Sequence, residues 1–160
     1  MPALLRTARR RRRRLHDDTG AAVVEFALLV PVLLLFAMAA IDFGRVVATG
    51  IAVSGAVRAG AQYGAQSAAA SVDQVGMIAA AKSDFGEGGF GALTVDSART
   101  MCRCTSAGAM GACASVGATC GVTPQAFVAV GAQRTVALIL RYPGFPASYA
   151  VRRSAVLRVQ

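Results

Sequence analysis

Between Ala21 and Ile41 lie 21 consecutive residues that are apolar except for Glu25. As a helix rising about 1.5 Å per residue, this run reaches roughly 30 Å, the thickness of one hydrocarbon core. The competing reading is a central helix of a soluble protein. A chain of 160 residues with no matching set of long apolar helices has little with which to cover such a rod. The run therefore predicts a transmembrane segment, residues 21–41. Pro31 removes one intrahelical hydrogen bond, which membrane helices tolerate where neighbours compensate.

Charge orients the segment. The chain carries a formal +9, but residues 1–20 alone hold seven arginines (Arg6 and Arg9 to Arg14) against Asp17 and Asp18, a net of +5. A dense basic block beside an apolar run is the layout of a membrane-targeting leader, and it holds the N-terminus in the cytoplasm. The domain beyond the span then faces outward. A nucleic-acid arm is the alternative for such charge, yet no basic face interleaved with aromatics follows, so no nucleic-acid partner is expected. The only histidine, His16, lies inside the leader. Removing the leader leaves no imidazole for Ser-His-Asp or Cys-His catalysis or for metal ligation. No nucleotide loop, G-x-S-x-G or metal signature is present either, so the chain is expected to be no enzyme and to need no cofactor.

Three processing fates are open. The span is an uncleaved anchor, or an ordinary secretory signal cut after the small-x-small stretch Ala37-Met38-Ala39, or a retained helix whose leader is cut after Gly20. In the third case Ala21 becomes the new N-terminus and Glu25 the fifth residue of the mature chain.

That third arrangement resembles a type IV prepilin and, more closely, the TadE-like proteins of the tight-adherence (Flp-type) pilus system. "GAAVVEFALLVPVLLLFAMAAIDFGRVV" is similar to the family's series of Gly, Val-Glu-Phe-Ala, Pro and acidic-Phe-Gly-Arg. "AVSGAVRAGAQYGA" resembles the segment after it, with Arg58, Gly60, Ala61 and Tyr63 in register. The resemblance covers about residues 20–65 and is weak elsewhere, limited to "RYPGFP" and a final "SAVLRVQ". Asp42 stands where Glu is more usual, which keeps the charge. The resemblance implies a pilin-like α+β fold, with a long N-terminal helix packed on a small antiparallel sheet. It implies cleavage between Gly20 and Ala21 by a membrane prepilin peptidase, subunit recognition through Glu25 and Phe26, and partners among other pilin-like subunits and the pilus assembly machinery. It places the chain in the bacterial inner membrane as a minor, accessory subunit.

Glu25 has a physical role in that scheme. Insertion scales put a charge at mid-membrane at roughly 2.5–3.5 kcal/mol, and less near the edge. Cleavage after Gly20 creates an α-ammonium on Ala21, about one helical turn away. On a staggered neighbouring helix such an ammonium neutralises Glu25 in a low dielectric, which selects partner and register. The simpler alternative is an unpaired glutamate snorkelling to the headgroups. Asp42 and Arg45, just past the span, read as anchors at the membrane interface.

Beyond Arg45 the pattern stays helical to about Ala70, so residues 42–70 extend the helix. Ala40, Gly44, Ala48, Ala52, Ala56, Gly60, Gly64 and Ala68 recur at every fourth place, a ridge that lets another element approach closely. Residues 71–160 form the outward domain. Ser71 with Gln74 reads as a capping box for a short helix ending near "GEGG". Then the period changes to two: "LTVDSARTMCRC", "QAFVAV", "RTVALILRY" and "ASYAVRRSAVLRVQ" read as four strands, with a loop over about 105–121 and a turn at "PGFP". In the last strand Val151, Ala155, Leu157 and Val159 share one face and Arg152, Ser154 and Arg158 the other.

Cys102, Cys104, Cys113 and Cys120 fall in one loop-rich stretch. Outside the cytoplasm they are expected to form disulfides, with three connectivities open. A zinc site is the rival reading, with an unfamiliar spacing and no histidine, and no metal is expected. A CxC redox centre has no thioredoxin-like pattern around it. The second function class is an anchored or secreted envelope protein with a surface-binding role unrelated to pili.

Overall fold

The computed structural model describes residues 18–86, 91–104 and 108–160. The basic block, His16, most of the "GEGG" stretch and residues 105–107 of the Cys-containing loop lie outside the described residues. Two units follow one another along the chain, the first ending at Ala37 and the second being Met38–Gln160.

The first helix, α1 (Asp18–Ala65), is 48 residues long, contains Pro31, and runs through that boundary. In the first unit every residue from Gly20 to Ala37 is exposed except the half-buried Val30. Among the described residues, α1 alone is long and apolar enough to cross a membrane, and none of its most apolar window is buried. That length and hydropathy are compatible with a single membrane crossing.

In the second unit α1 changes character. Thr49, Gly50, Val53, Ala56, Val57, Gly60, Ala61 and Gly64 are buried, a recurrence at three and four that marks one helical face. This face meets a three-stranded antiparallel sheet in the order β1 (Thr94–Arg103), β2 (Gln125–Ala137), β3 (Ser148–Arg158). The layout is α+β, as the resemblance implies. Val53, Ala56, Val57 and Ala61 of the helix pack with Met77, Phe85, Val128, Val130 and Ala132 in one cluster. Full burial of a valine such as Val53 or Val57 contributes about 1.5–3 kcal/mol. Only part of the small-residue ridge lies in this contact. Ala56, Gly60 and Gly64 are buried and Ala52 is half-buried, whereas Ala40, Gly44, Ala48 and Ala68 are exposed. The approach is closest at Gly64, where a Cβ would lie 2.5 Å from Met77 Sδ and 2.9 Å from Val128 Cγ1.

Three expectations for this domain are corrected. First, α1 stops at Ala65 rather than near Ala70. Ser67 is extended there and accepts the Ala70 N–H at 3.1 Å, capping a separate short helix, α2 (Ala68–Val72). Secondly, the Ser71/Gln74 capping box does not form. Ser71 is buried within α2 and donates its hydroxyl to the Ala68 carbonyl at 2.8 Å. The cap of α3 (Gln74–Phe85) is Asp73, which accepts the Gly76 N–H at 2.9 Å. Thirdly, "QAFVAV" and the first four residues of "RTVALILRY" belong to one strand while the rest enters the β2–β3 connection, so the sheet has three strands rather than four. Gly131 pairs with both Ser97 and Ser154, and a Cβ there would lie 2.6 Å from Ser97 Oγ. The glycine marks close approach at the β1 irregularity between Val95 and Ser97, not a turn.

Hydrogen bonds tie both ends of the second half of α1 to the sheet or the residues that follow it. At one end Arg45 donates from Nη1 to the Ala137 carbonyl at 3.2 Å. At the other, the Gln160 N–H donates to the Ala65 carbonyl at 3.2 Å and the Val159 N–H to the Ala126 carbonyl at 2.9 Å. On β3, Val151 is buried and Ala155, Leu157 and Val159 are half-buried, while Arg152, Ser154 and Arg158 are exposed.

The cysteines resolve to one of the three connectivities, Cys102–Cys113 and Cys104–Cys120, which interlace along the sequence. The stretch expected to be a loop contains a short helix, α4 (Cys113–Thr119). Cys102 also exchanges both backbone hydrogen bonds with Gly111, at 2.9 and 3.0 Å.

Candidate functional site

Gly20, Ala21, Glu25 and Phe26 all lie exposed on α1, and Phe26 is 63% exposed. Ala21 and Glu25 are four residues apart, about 6 Å along the axis and on the same helical face. Among the described residues no hydrogen bond or ion pair engages the Glu25 carboxylate. An acidic group on an otherwise apolar, uncovered surface is available to a cation on another molecule, which is the property a pairing group requires. No Cβ contact within 4 Å would arise at Gly20. Its surroundings on the helix are open.

Asp42 and Arg45, grouped in the sequence as interface anchors, both reach the end of β2 and the connection that follows it. Asp42 is 3% exposed and its carboxylate is turned onto the β2–β3 connection. Oδ1 accepts the Ile139 N–H at 2.9 Å, and Oδ2 lies 3.1 Å from the same nitrogen. Oδ2 also accepts the Leu140 N–H at 3.4 Å and the Tyr142 hydroxyl at 3.5 Å. Arg45 Nη1 stands 3.4 Å from Oδ1. The Ile139 backbone hydrogen bond holds the Asp42 carboxyl below its ordinary range, joined by the Leu140 N–H and the Arg45 charge and opposed by desolvation. Desolvation and the neighbouring carboxylate push the Tyr142 phenol up. Asp42 thus fastens a loop from near the C-terminus to the helix just after the apolar run.

The loop is shaped to be held. The Phe145 N–H donates to the Tyr142 carbonyl at 3.1 Å, with Pro143 and Gly144 between them. Gly144 has φ of 83°, so the tip is a type II turn, where Pro fits the first central position and glycine the second. The Leu138 N–H closes the base on the Ala147 carbonyl at 3.0 Å.

A second aspartate clamp stands farther along. Asp73 Oδ2 accepts the Tyr63 hydroxyl at 2.7 Å while Oδ1 caps α3, so one carboxylate joins α1 to α3. The Gly76 N–H hydrogen bond, followed by the Tyr63 hydroxyl, lowers the Asp73 pKa, and the same contact raises that of Tyr63. Sequence reading singled out Tyr63 only through its place in the resemblance, and missed Asp73, Ile139, Leu140 and Tyr142 as partners. Asp73, one residue before a helical pattern, carried an N-cap signal; the others carried none.

The sulfurs of all four cysteines are engaged in disulfides, so they offer no thiolate ligands. A concavity of about 860 Å³ lies between α1 and β3, and its rim carries Arg58, Arg152 and Arg153.

Residues 20–62 match the family model described as TadE-like protein. No curated protein matches the chain. No solved structure matches it either. The matched stretch takes in Gly20, Glu25, Phe26, Pro31, Asp42, Arg45 and the helix face that packs on the sheet, and residues 20–62 of this chain are accordingly a TadE-like segment, of the family that their sequence resembles.

Proposed function

We propose that this chain is a minor, pilin-like subunit of a tight-adherence pilus system, without catalytic activity of its own. Residues 21–41 hold it in the inner membrane, with the basic leader on the cytoplasmic side and the α+β domain outside. A prepilin peptidase removes residues 1–20 by cutting after Gly20, and Glu25 then pairs with the α-ammonium of Ala21 on a neighbouring subunit. The observation that carries this reading is the TadE-like match beginning at Gly20, with Glu25 five residues later on an uncovered apolar helix. Its chemistry is recognition: a glycine offers an unbranched scissile position, and a single carboxylate in a low dielectric discriminates strongly between paired and unpaired registers. The chain's own disulfide-bearing domain fits an accessory subunit, since it presents a folded surface in addition to the helix.

N-terminal mass analysis of the protein isolated from its native envelope tests the reading. A mature chain beginning at Ala21 is the expected result. A soluble product beginning at Ala40 assigns it instead to the secreted envelope proteins, and an intact N-terminus to uncleaved anchors.

A further inference from the structure

The β2–β3 connection presents an apolar surface that the pilin reading leaves unused. Ile139 is 52% exposed, Phe145 65% and Phe43, on the adjoining turn of α1, 71%. Phe43, Val46, Leu138, Phe145 and Tyr149 line a shallow groove of about 480 Å³. Asp42 fastens this loop to the helix at the first position beyond the apolar run. We propose that the Leu138–Pro146 loop is a membrane-seated collar, which inserts Ile139, Leu140 and Phe145 beside Phe43 into the headgroup–acyl boundary of the bilayer that α1 crosses. The proposal rests on the membrane-spanning reading of residues 21–41.

Three features point to lipid as the occupant. The apolar surface is continuous along α1 with the span itself, since Ile41 and Phe43 are both exposed and α1 passes unbroken from one to the other. Four of the loop's seven backbone N–H groups are also already engaged. The N–H groups of Leu138, Ile139, Leu140 and Phe145 are hydrogen-bonded within the protein, and positions 143 and 146 are prolines. Backbone entering a water-poor layer needs such internal partners. Finally, the side chains around the apolar tip are those that interfacial anchors use. Tyr142 and Tyr149 present ring and hydroxyl together, and the exposed Arg45 and Arg141 carry charge suited to anionic headgroups. The Asp42 clamp keeps the loop on the turn of α1 that carries Phe43.

The chain has no tryptophan, so single-tryptophan reporters are unambiguous. Phe145→Trp, Leu33→Trp and Val122→Trp are introduced separately into the full chain. Each is reconstituted in phosphatidylcholine–phosphatidylglycerol vesicles containing lipid brominated high on the acyl chain. Val122 is exposed and adjoins the start of β2, the strand end away from Asp42. At an insertion depth of about 5–10 Å, Phe145→Trp emission shifts to the blue and falls about twofold on bromination, while Val122→Trp is unaffected. An unquenched Phe145→Trp beside a quenched Leu33→Trp overturns the collar and leaves the span standing. Blue-shifted but unquenched emission means that protein, such as a second copy, fills the groove, and equal quenching at Val122→Trp means a whole-domain association; either result overturns the proposal. An unquenched Leu33→Trp removes the membrane span and the collar with it.

Discussion

The Asp42 carboxylate accepts the Ile139 N–H at 2.9 Å across 97 positions of sequence. With it, one side chain at the end of the apolar run decides where the β2–β3 loop lies. Asp42→Ala leaves the N–H groups of Ile139 and Leu140 and the Tyr142 hydroxyl without that acceptor. The variant is expected to melt at lower temperature and to be cut by protease within 138–146, whereas Arg45→Ala, which leaves the carboxylate in place, has the smaller effect. Equal effects of the two substitutions refute the clamp.

Gly64 and Gly44 lie on the same helix and are expected to respond to alanine in opposite senses. A Cβ at Gly64 meets Met77 Sδ at 2.5 Å, so Gly64→Ala overpacks the core and costs about 1–3 kcal/mol. At Gly44 nothing lies within 4 Å, and Gly44→Ala adds helix propensity of up to about 1 kcal/mol. Denaturant midpoints of the two variants, measured together, check the contrast.

The interlaced disulfides close segments of 11 and 16 residues. In the chain-entropy picture a closed loop near this size stabilises the domain by about 3 kcal/mol. Replacing Cys104 and Cys120 together by serine lowers stability by about that amount, and non-reducing peptide mapping of the parent finds Cys102 joined to Cys113. A Cys102–Cys120 peptide contradicts the connectivity.

Stability has acid and alkaline limits set by the two clamps. The Asp42 carboxyl, lowered chiefly by the Ile139 N–H, and that of Asp73, lowered chiefly by the Gly76 N–H, both lie below the ordinary 3.8. Their contribution is fully present above 3.8 and is lost as pH falls through the lower folded values. Tyr63, raised chiefly by its hydrogen bond to Asp73, and Tyr142, raised chiefly by desolvation, lie above the ordinary 10.0. Their contribution is complete below 10.0 and is lost as pH rises through the folded values. Unfolding midpoints against pH are expected to be flat between these limits as far as these groups go, and Tyr63→Phe removes part of the alkaline fall.

Glu25→Ala deletes the proposed pairing group without shortening the span. Membrane insertion is expected to match the parent, while crosslinking to partner subunits falls severalfold. Parental crosslinking yields remove Glu25 from assembly.

Much of this molecule is legible along the chain. The apolar run from Ala21 to Ile41, the position of Glu25 after Gly20 and the alternation from Val151 to Val159 are local patterns. Side-chain periodicity expresses them with no knowledge of what packs where. The cysteines were legible as a class, since four of them in one loop-rich stretch pair readily outside a reducing compartment. Tertiary structure alone decided that Cys102 joins Cys113, because connectivity depends on which Cβ atoms approach one another after the chain turns. It decided that Gly131 continues a strand, since glycine signals a turn or a close neighbour equally well until Ser97 is beside it. It also made Asp42 a loop clamp: a carboxylate's local sequence records its charge, whereas the N–H groups that satisfy it come from the far end of the chain.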